Sequence, residues 1–126
     1  MPATLSRSSL GKLGEDLACE ELTRRGYAIL ARRYRTRFGE IDIVARDDSV
    51  LVFVEVKARR SRRCGGAVEG VTTWKRRRLA AIALDYLARA NRLDARCRFD
   101  VVAIDGIGTD RTEVHVVTDA FPAISR

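Results

Sequence analysis

Residues 39–60, GEIDIVARDDSVLVFVEVKARR, constrain this chain more than any other stretch. Two runs rich in branched and aromatic residues, 39–45 and 50–58, flank Arg46-Asp47-Asp48-Ser49, which has the composition of a turn, so the segment predicts a β-hairpin. Both strands carry charge inside their apolar runs: Glu40 and Asp42 in the first, Glu55 and Lys57 in the second. A charge taken out of water costs several kcal/mol unless it is paired, hydrogen-bonded or bound to a metal. The hairpin therefore needs a compensating partner.

Strand side chains alternate between faces, so Glu55 and Lys57 share one side and Val54 and Val56 the other. The same parity joins Glu40 and Asp42. With residues 46–49 as the turn, Ala45 is expected opposite Val50, and Asp42 opposite Phe53 and diagonal to Glu55, which places the four charged groups on one face; a slip of one residue would separate them. Acids gathered there repel unless one is protonated or a cation bridges them. Ligands that are all oxygen, with no His or Cys, select Mg²⁺ or Mn²⁺ over zinc. Lys57, two residues beyond Glu55, can orient an attacking hydroxide and neutralise charge developing on a pentacovalent phosphate. In isolation, a Glu55–Lys57 pair is more commonly a salt bridge at a strand end; Asp42 across the hairpin, Glu15 on a preceding helix and the basic run that follows favour a metal site instead.

The rest of the chain supplies a scaffold. In residues 9–25, Leu10, Leu13 and Leu17 recur at helical spacing with Ala18 and Leu22 beside them, and Gly26 stops the helix. Glu15 lies at the edge of that stripe, from where it can reach the sheet. Strands are expected at 27–34, 39–45 and 50–58. A basic loop follows at 59–72, then a helix capped by Thr72 or Thr73 and running through Asn91 on Leu79, Ile82, Ala83, Tyr86, Leu87 and Ala90, then strands at 99–104 and 113–117. The order αβββαββ, with no internal repeat or linker, predicts one α/β domain over 9–121, with 1–8 and 122–126 as flexible termini. A chain of 126 residues is long enough for one core.

The net charge of +7 is unevenly spread. Residues 56–78 hold nine bases (Lys57, Arg59, Arg60, Arg62, Arg63, Lys75, Arg76, Arg77 and Arg78) against the single acid Glu69, so the remainder of the chain is slightly acidic. A basic excess confined to one segment is the footprint of a polyanion site, and a solvated surface is the plainer alternative. Lys75 to Arg78 fall in the first turns of the second helix, where the macrodipole disfavours positive charge, which also points to a nearby anion. Cys19, Cys64 and Cys97 are odd in number and lack a CxxC, which fits reduced thiols. No apolar run is long enough for a signal peptide or a membrane span, so a soluble cytoplasmic protein is expected.

Asp42 followed by Glu55-Val56-Lys57, with Glu15 upstream, resembles the PD-(D/E)xK nuclease superfamily, whose restriction-endonuclease-like core runs αβββαβ with a mixed central sheet between helices. More closely, Gly14-Glu15 with Ala18, Gly39-Glu40-Ile41-Asp42-Ile43, Phe53-Val54-Glu55-Val56-Lys57 and Phe99-Asp100-Val101-Val102 resemble the YraN-like bacterial family, similar in turn to archaeal Holliday-junction resolvases. The match spans about residues 9–121. It implies that Asp42 and Glu55 are metal ligands, that Val56 offers its backbone carbonyl, that Lys57 is the catalytic lysine and that Glu15 is an additional site acid. Ile41 stands where the superfamily's name has proline, which makes the motif less diagnostic without excluding catalysis.

The leading expectation is a Mg²⁺-dependent endonuclease acting on DNA, including branched or repair-intermediate DNA. The alternative is a non-catalytic nucleic-acid-binding or protein-interaction subunit that keeps the fold. DNA is favoured over RNA, although phosphate contacts read neither base nor sugar. A homodimer, or a repair or processing protein as partner, is compatible with either reading. Glu40 reads as a site acid, an arginine partner or the residue after a turn glycine. Asp100 and His115 read as structural, and Trp74 as either a base-stacking platform or packing at the helix start.

Overall fold

The computed structural model describes residues 6–60 and 71–122. Arg62, Arg63, Cys64 and most of the basic loop expected at 59–72 lie outside the described residues. The elements follow the order α1 (Arg7–Arg24), β1 (Ala28–Thr36), β2 (Gly39–Asp47), β3 (Val50–Arg59), α2 (Thr73–Arg89), β4 (Cys97–Asp105) and β5 (Glu113–Phe121). Ser6 caps α1 by accepting the Ser9 N–H at 3.2 Å, and Thr72 caps α2 by accepting the Lys75 N–H at 3.2 Å. Gly26, at a φ of 97°, turns the chain out of α1.

The five strands form one sheet in sequence order. The β1–β2, β2–β3 and β4–β5 pairs are antiparallel, and β3–β4 is parallel because α2 carries the chain back across the sheet. This is the mixed sheet of the restriction-endonuclease-like αβββαβ core, with β5 added at one edge.

Each sheet face is covered by one helix. Ala18 and Leu22 of α1 pack with Ile43, Ala45, Val52, Val54, Val102 and Ile104, while Leu79, Ile82, Ala83 and Leu87 of α2 pack with Ile41, Val44, Phe53, Phe99 and Val101. The central strands, buried on both faces, therefore read as nearly continuous apolar runs. In α1 the buried line is Gly14, Ala18 and Leu22, with Leu13 and Leu17 flanking it half-buried, so the helix is rotated relative to the stripe expected from its leucines. Gly14 explains the rotation: a Cβ there would stand 3.2 Å from the Ala58 Cβ of β3, so the absent side chain lets α1 approach the sheet and carries the neighbouring Glu15 inward.

The hairpin register differs from expectation by two residues. Asp48, at a φ of 53°, and Ser49 alone make the turn, so Asp47 pairs with Val50 and Ala45 with Val52 rather than with Val50. Aspartate tolerates the left-handed conformation, which lets the strands extend closer to the turn than composition suggests. A two-residue offset preserves strand parity. Among the described residues no helix is long and apolar enough to cross a membrane.

Candidate functional site

The β2–β3 pairing runs from Asp47↔Val50 to Ile43↔Val54, and beyond it the strands part. Asp42 sits where they fork. Ile41 packs on the α2 side of the sheet and Ile43 on the α1 side, so simple alternation breaks at the residue between them. The Asp42 carboxylate enters the fork and accepts the Val56 N–H at 2.7 Å. Burial first, and the charge of Glu55 second, raise the Asp42 pKa to about 7, against the opposing bond from Val56; Glu15 adds to the rise. The two strand carboxyls thus converge, and Asp42 holds its proton up to near neutrality.

Glu55 is buried and faces the α2 side, where two ammonium groups reach it. Lys57 Nζ lies 3.6 Å from Glu55 Oε2, and Lys75, from the first turn of α2, forms an ion pair with the same oxygen. Burial, followed by the neighbouring Lys75, lowers the Lys57 pKa. Burial alone would lower that of Lys75 too, but Glu55 outweighs it and the net shift is upward. Two lysines therefore share one acid.

Glu15 enters from α1, buried, with both carboxylate oxygens on Arg33 Nε at 2.9 and 3.1 Å. Arg33 adopts a left-handed φ of 51° within β1, a conformation a non-glycine residue holds only under compensation, and the charged hydrogen bond its Nε shares between the two Glu15 oxygens supplies it. Sequence pattern gives no sign of this partner, because a single left-handed residue inside a strand leaves no periodic trace.

Glu15, Glu40, Asp42, Glu55, Val56, Lys75 and Arg78 line one polar cavity of ≈ 380 Å³, together with Arg33 and Arg35. A second cavity, of ≈ 510 Å³, shares Glu15, Asp42 and Val56 and is walled on the α1 side by Arg7, Arg59 and Arg60. The fork joins the two. Glu15, Glu40, Asp42, Glu55, Val56, Arg59, Arg60, Lys75 and Arg78, named from the sequence, line these two cavities, and Arg7, Arg33 and Arg35 join them, whereas Lys57 lines neither and meets the site through Glu55. Glu40 pairs with Arg35 at 3.6 Å on the cavity rim. Among the described residues, no group of three or more His, Cys, Asp or Glu side chains is gathered as a ready metal cage. Arginine and lysine compensate two of the acids instead. The donors nevertheless suit a hard divalent cation, since Asp42 and Glu55 present only oxygen to one cavity and Asp42 resists ionisation there.

The basic quartet at the start of α2 divides by geometry. Lys75 and Arg78 face the cavity. Arg76 turns away, donating to the Val71 carbonyl at 3.0 Å and stacking over Phe121, and Arg77 is exposed. Arg59 lies 3.6 Å from buried Asp105. Trp74 stands 69% exposed beneath the Arg78 guanidinium and adds nothing to the core.

Asp100 is fully buried and satisfied by Tyr27, Arg98 and the Asp119 N–H in a structural network, and it lines neither cavity at the fork. His115 lies on the edge strand β5, 3.3 Å from Glu113.

Comparison with known proteins falls on the same stretch of chain. The chain is 49% identical over 114 residues to a UPF0102 protein of Symbiobacterium thermophilum, covering 90% of this chain and 97% of that one. It is 52% identical over 118 residues to a UPF0102 protein of Ralstonia pickettii, covering 90% of each. Among solved structures, SfsA of Pyrococcus furiosus in complex with Ca²⁺ is similar with a TM-score of 0.42 at 15% identity, over 92% of this chain and 65% of that one. A model of the uncharacterised protein family UPF0102 matches residues 14–104, a span that holds Glu15, the whole β2–β3 fork and α2, and the chain belongs to that family.

Proposed function

We propose that the protein is a divalent-metal-dependent endonuclease that hydrolyses phosphodiester bonds in nucleic acid, DNA ahead of RNA, with Mg²⁺ or Mn²⁺ as cofactor. The observation that carries this reading is the convergence of Asp42 and Glu55 at a strand fork, with Lys57 3.6 Å from the same Glu55 oxygen. Asp42, Glu55 and the Val56 carbonyl would hold the ion, with Glu15 as a further acid. When bound, the cation would polarise a phosphoryl oxygen and ease ionisation of the attacking water. Lys57 places a positive charge where the pentacovalent phosphate gathers negative charge, in a half-buried setting where it counts for more than in water. The basic walls on both sides of the fork suit a strand that passes across it. Branched or repair-intermediate DNA, cytoplasmic action, a homodimer and a repair or processing partner belong to the same proposal.

The test is a cleavage screen over duplex, single-stranded, branched and RNA substrates with Mg²⁺ and Mn²⁺, comparing wild type with Lys57→Met and Asp42→Asn. Cleavage should require metal and be lost in both variants, while Lys57→Met retains metal binding. Activity that survives both substitutions would remove these residues from the chemistry.

One observation favours a second reading. Glu15 is held by Arg33, and Glu55 by two lysines, so these acids are compensated without a metal. A nucleic-acid-binding or protein-interaction module would keep that arrangement, and would bind in the screen without cutting under any metal.

A further inference from the structure

Lys75 and Arg78 stand three residues apart on one face of α2, both on the wall of the polar cavity. Their surroundings differ in a telling way. Lys75 is spent on Glu55. Arg78 forms no ion pair with an acid among the described residues: its guanidinium lies 5.0 Å from the Trp74 ring centroid, and its Nε is buried without a hydrogen-bond partner, the one such side-chain atom among the described residues. Gly39, at a φ of 127°, makes room for it, since a Cβ there would stand 3.3 Å from Arg78 Cδ. A buried donor left unsatisfied is costly, and an arginine held in place by an aromatic ring and a glycine without an acid to bind is set up for an anion from outside.

From this geometry, and resting on the metal-dependent reading above, we propose that Lys75 and Arg78 form a phosphate seat on the α2 wall, and that a divalent cation completes the seat by taking Glu55 from Lys75. Without metal, Lys75 stands in for the cation at Glu55 and only Arg78 is available to a phosphate. With metal, the Glu55 oxygens turn to the ion and the Lys75 ammonium, still facing the cavity beside Arg78, is free to meet the backbone of the nucleic acid. The two ligands then assist each other: metal makes the seat, and a phosphate that holds Lys75 away from Glu55 favours metal. Arg76 and Arg77 take no part, the first being turned to Val71 and Phe121.

The test uses Ca²⁺, which suppresses hydrolysis, and a fluorescent branched or duplex oligonucleotide. Ca²⁺ binding is followed by calorimetry on the protein alone, and oligonucleotide binding by anisotropy with and without Ca²⁺, for wild type, Lys75→Met, Lys75→Gln, Arg78→Met and Arg77→Met. Both Lys75 variants should bind Ca²⁺ several-fold more tightly than wild type, having shed the competing ammonium. They should bind the oligonucleotide like wild type without Ca²⁺ and roughly tenfold more weakly with it, the size of one charge-assisted contact. Arg78→Met should weaken oligonucleotide binding under both conditions, and Arg77→Met should leave Ca²⁺ affinity unchanged and cost little elsewhere. A loss in the Lys75 variants that is equal with and without Ca²⁺, or a Ca²⁺ affinity they leave unchanged, overturns the proposal while the metal reading stands. Wild type that binds neither Ca²⁺ nor oligonucleotide overturns both.

Discussion

Asp42 couples the site to pH. Its carboxyl ionises near pH 4 in an unfolded chain but holds its proton to about 7 in the fold. A raised folded pKa means that the stabilising contribution is fully present below the unfolded value and is lost as pH climbs through about 7, which removes up to about 4 kcal/mol from the metal-free protein. Asp42→Asn, which cannot ionise, should therefore raise the melting temperature of the metal-free protein by several degrees at pH 8 and leave it nearly unchanged at pH 4, as scanning calorimetry would register. The wild-type protein must also release that proton to bind a cation. Apparent metal affinity should rise about tenfold per pH unit below 7 and level off above, with a proton release visible as buffer-dependent heat. Asp42, Glu55 and Lys57 are legible in the sequence because charge inside an apolar strand is conspicuous. Arg33 is not, because its role depends on a left-handed backbone that no pattern of residue types announces.

At the level of the elements, strand parity is insensitive to the difference in register. The turn expected from composition is two residues too wide, and an even offset leaves each side chain on its face, so Glu55 and Lys57 stay together under either pairing. The break in alternation at Asp42 is beyond the reach of a sequence pattern, since it arises where β2 leaves β3 and the Val56 N–H turns to a side chain. In α1 the leucine stripe indicates a helix but not its rotation, which Gly14 sets. Alanine there should gain about 1 kcal/mol in helix propensity and lose about 1–3 kcal/mol against the Ala58 Cβ, because a Cβ fixed to a central strand cannot yield. Gly14→Ala should come out destabilised by about 1 kcal/mol in urea denaturation, with Glu15 displaced and metal affinity reduced.

Over the whole molecule, the described bases of residues 56–78 divide: Arg59, Arg60, Lys75 and Arg78 wall the two cavities at the fork, and Arg76 turns away from them. Arg59 is committed to Asp105, and Arg76 to Val71 and Phe121, so these two serve packing as well as field. A composite change that spares them, Arg60, Arg62 and Arg63 all to Ser, should weaken nucleic-acid binding in Ca²⁺ similarly across sequences. It should also flatten the dependence of log affinity on log salt by about 0.9 for each duplex phosphate that the variant no longer neutralises. An unchanged slope in the folded variant would make this run ordinary solvated surface and turn attention to a protein partner.

The fork between β2 and β3 has a spectroscopic consequence. The Val56 amide is hydrogen-bonded to the Asp42 carboxyl, while Val56 itself lies in the parallel pairing of β3 with β4 beside Val102. Its proton points at the group whose ionisation or coordination would change with pH, metal and substrate, and the rest of that strand is locked in the sheet. One backbone N–H, at the centre of the molecule and in need of no attached label, therefore serves as an intrinsic probe whose resonance frequency and exchange rate report the chemical state of the site.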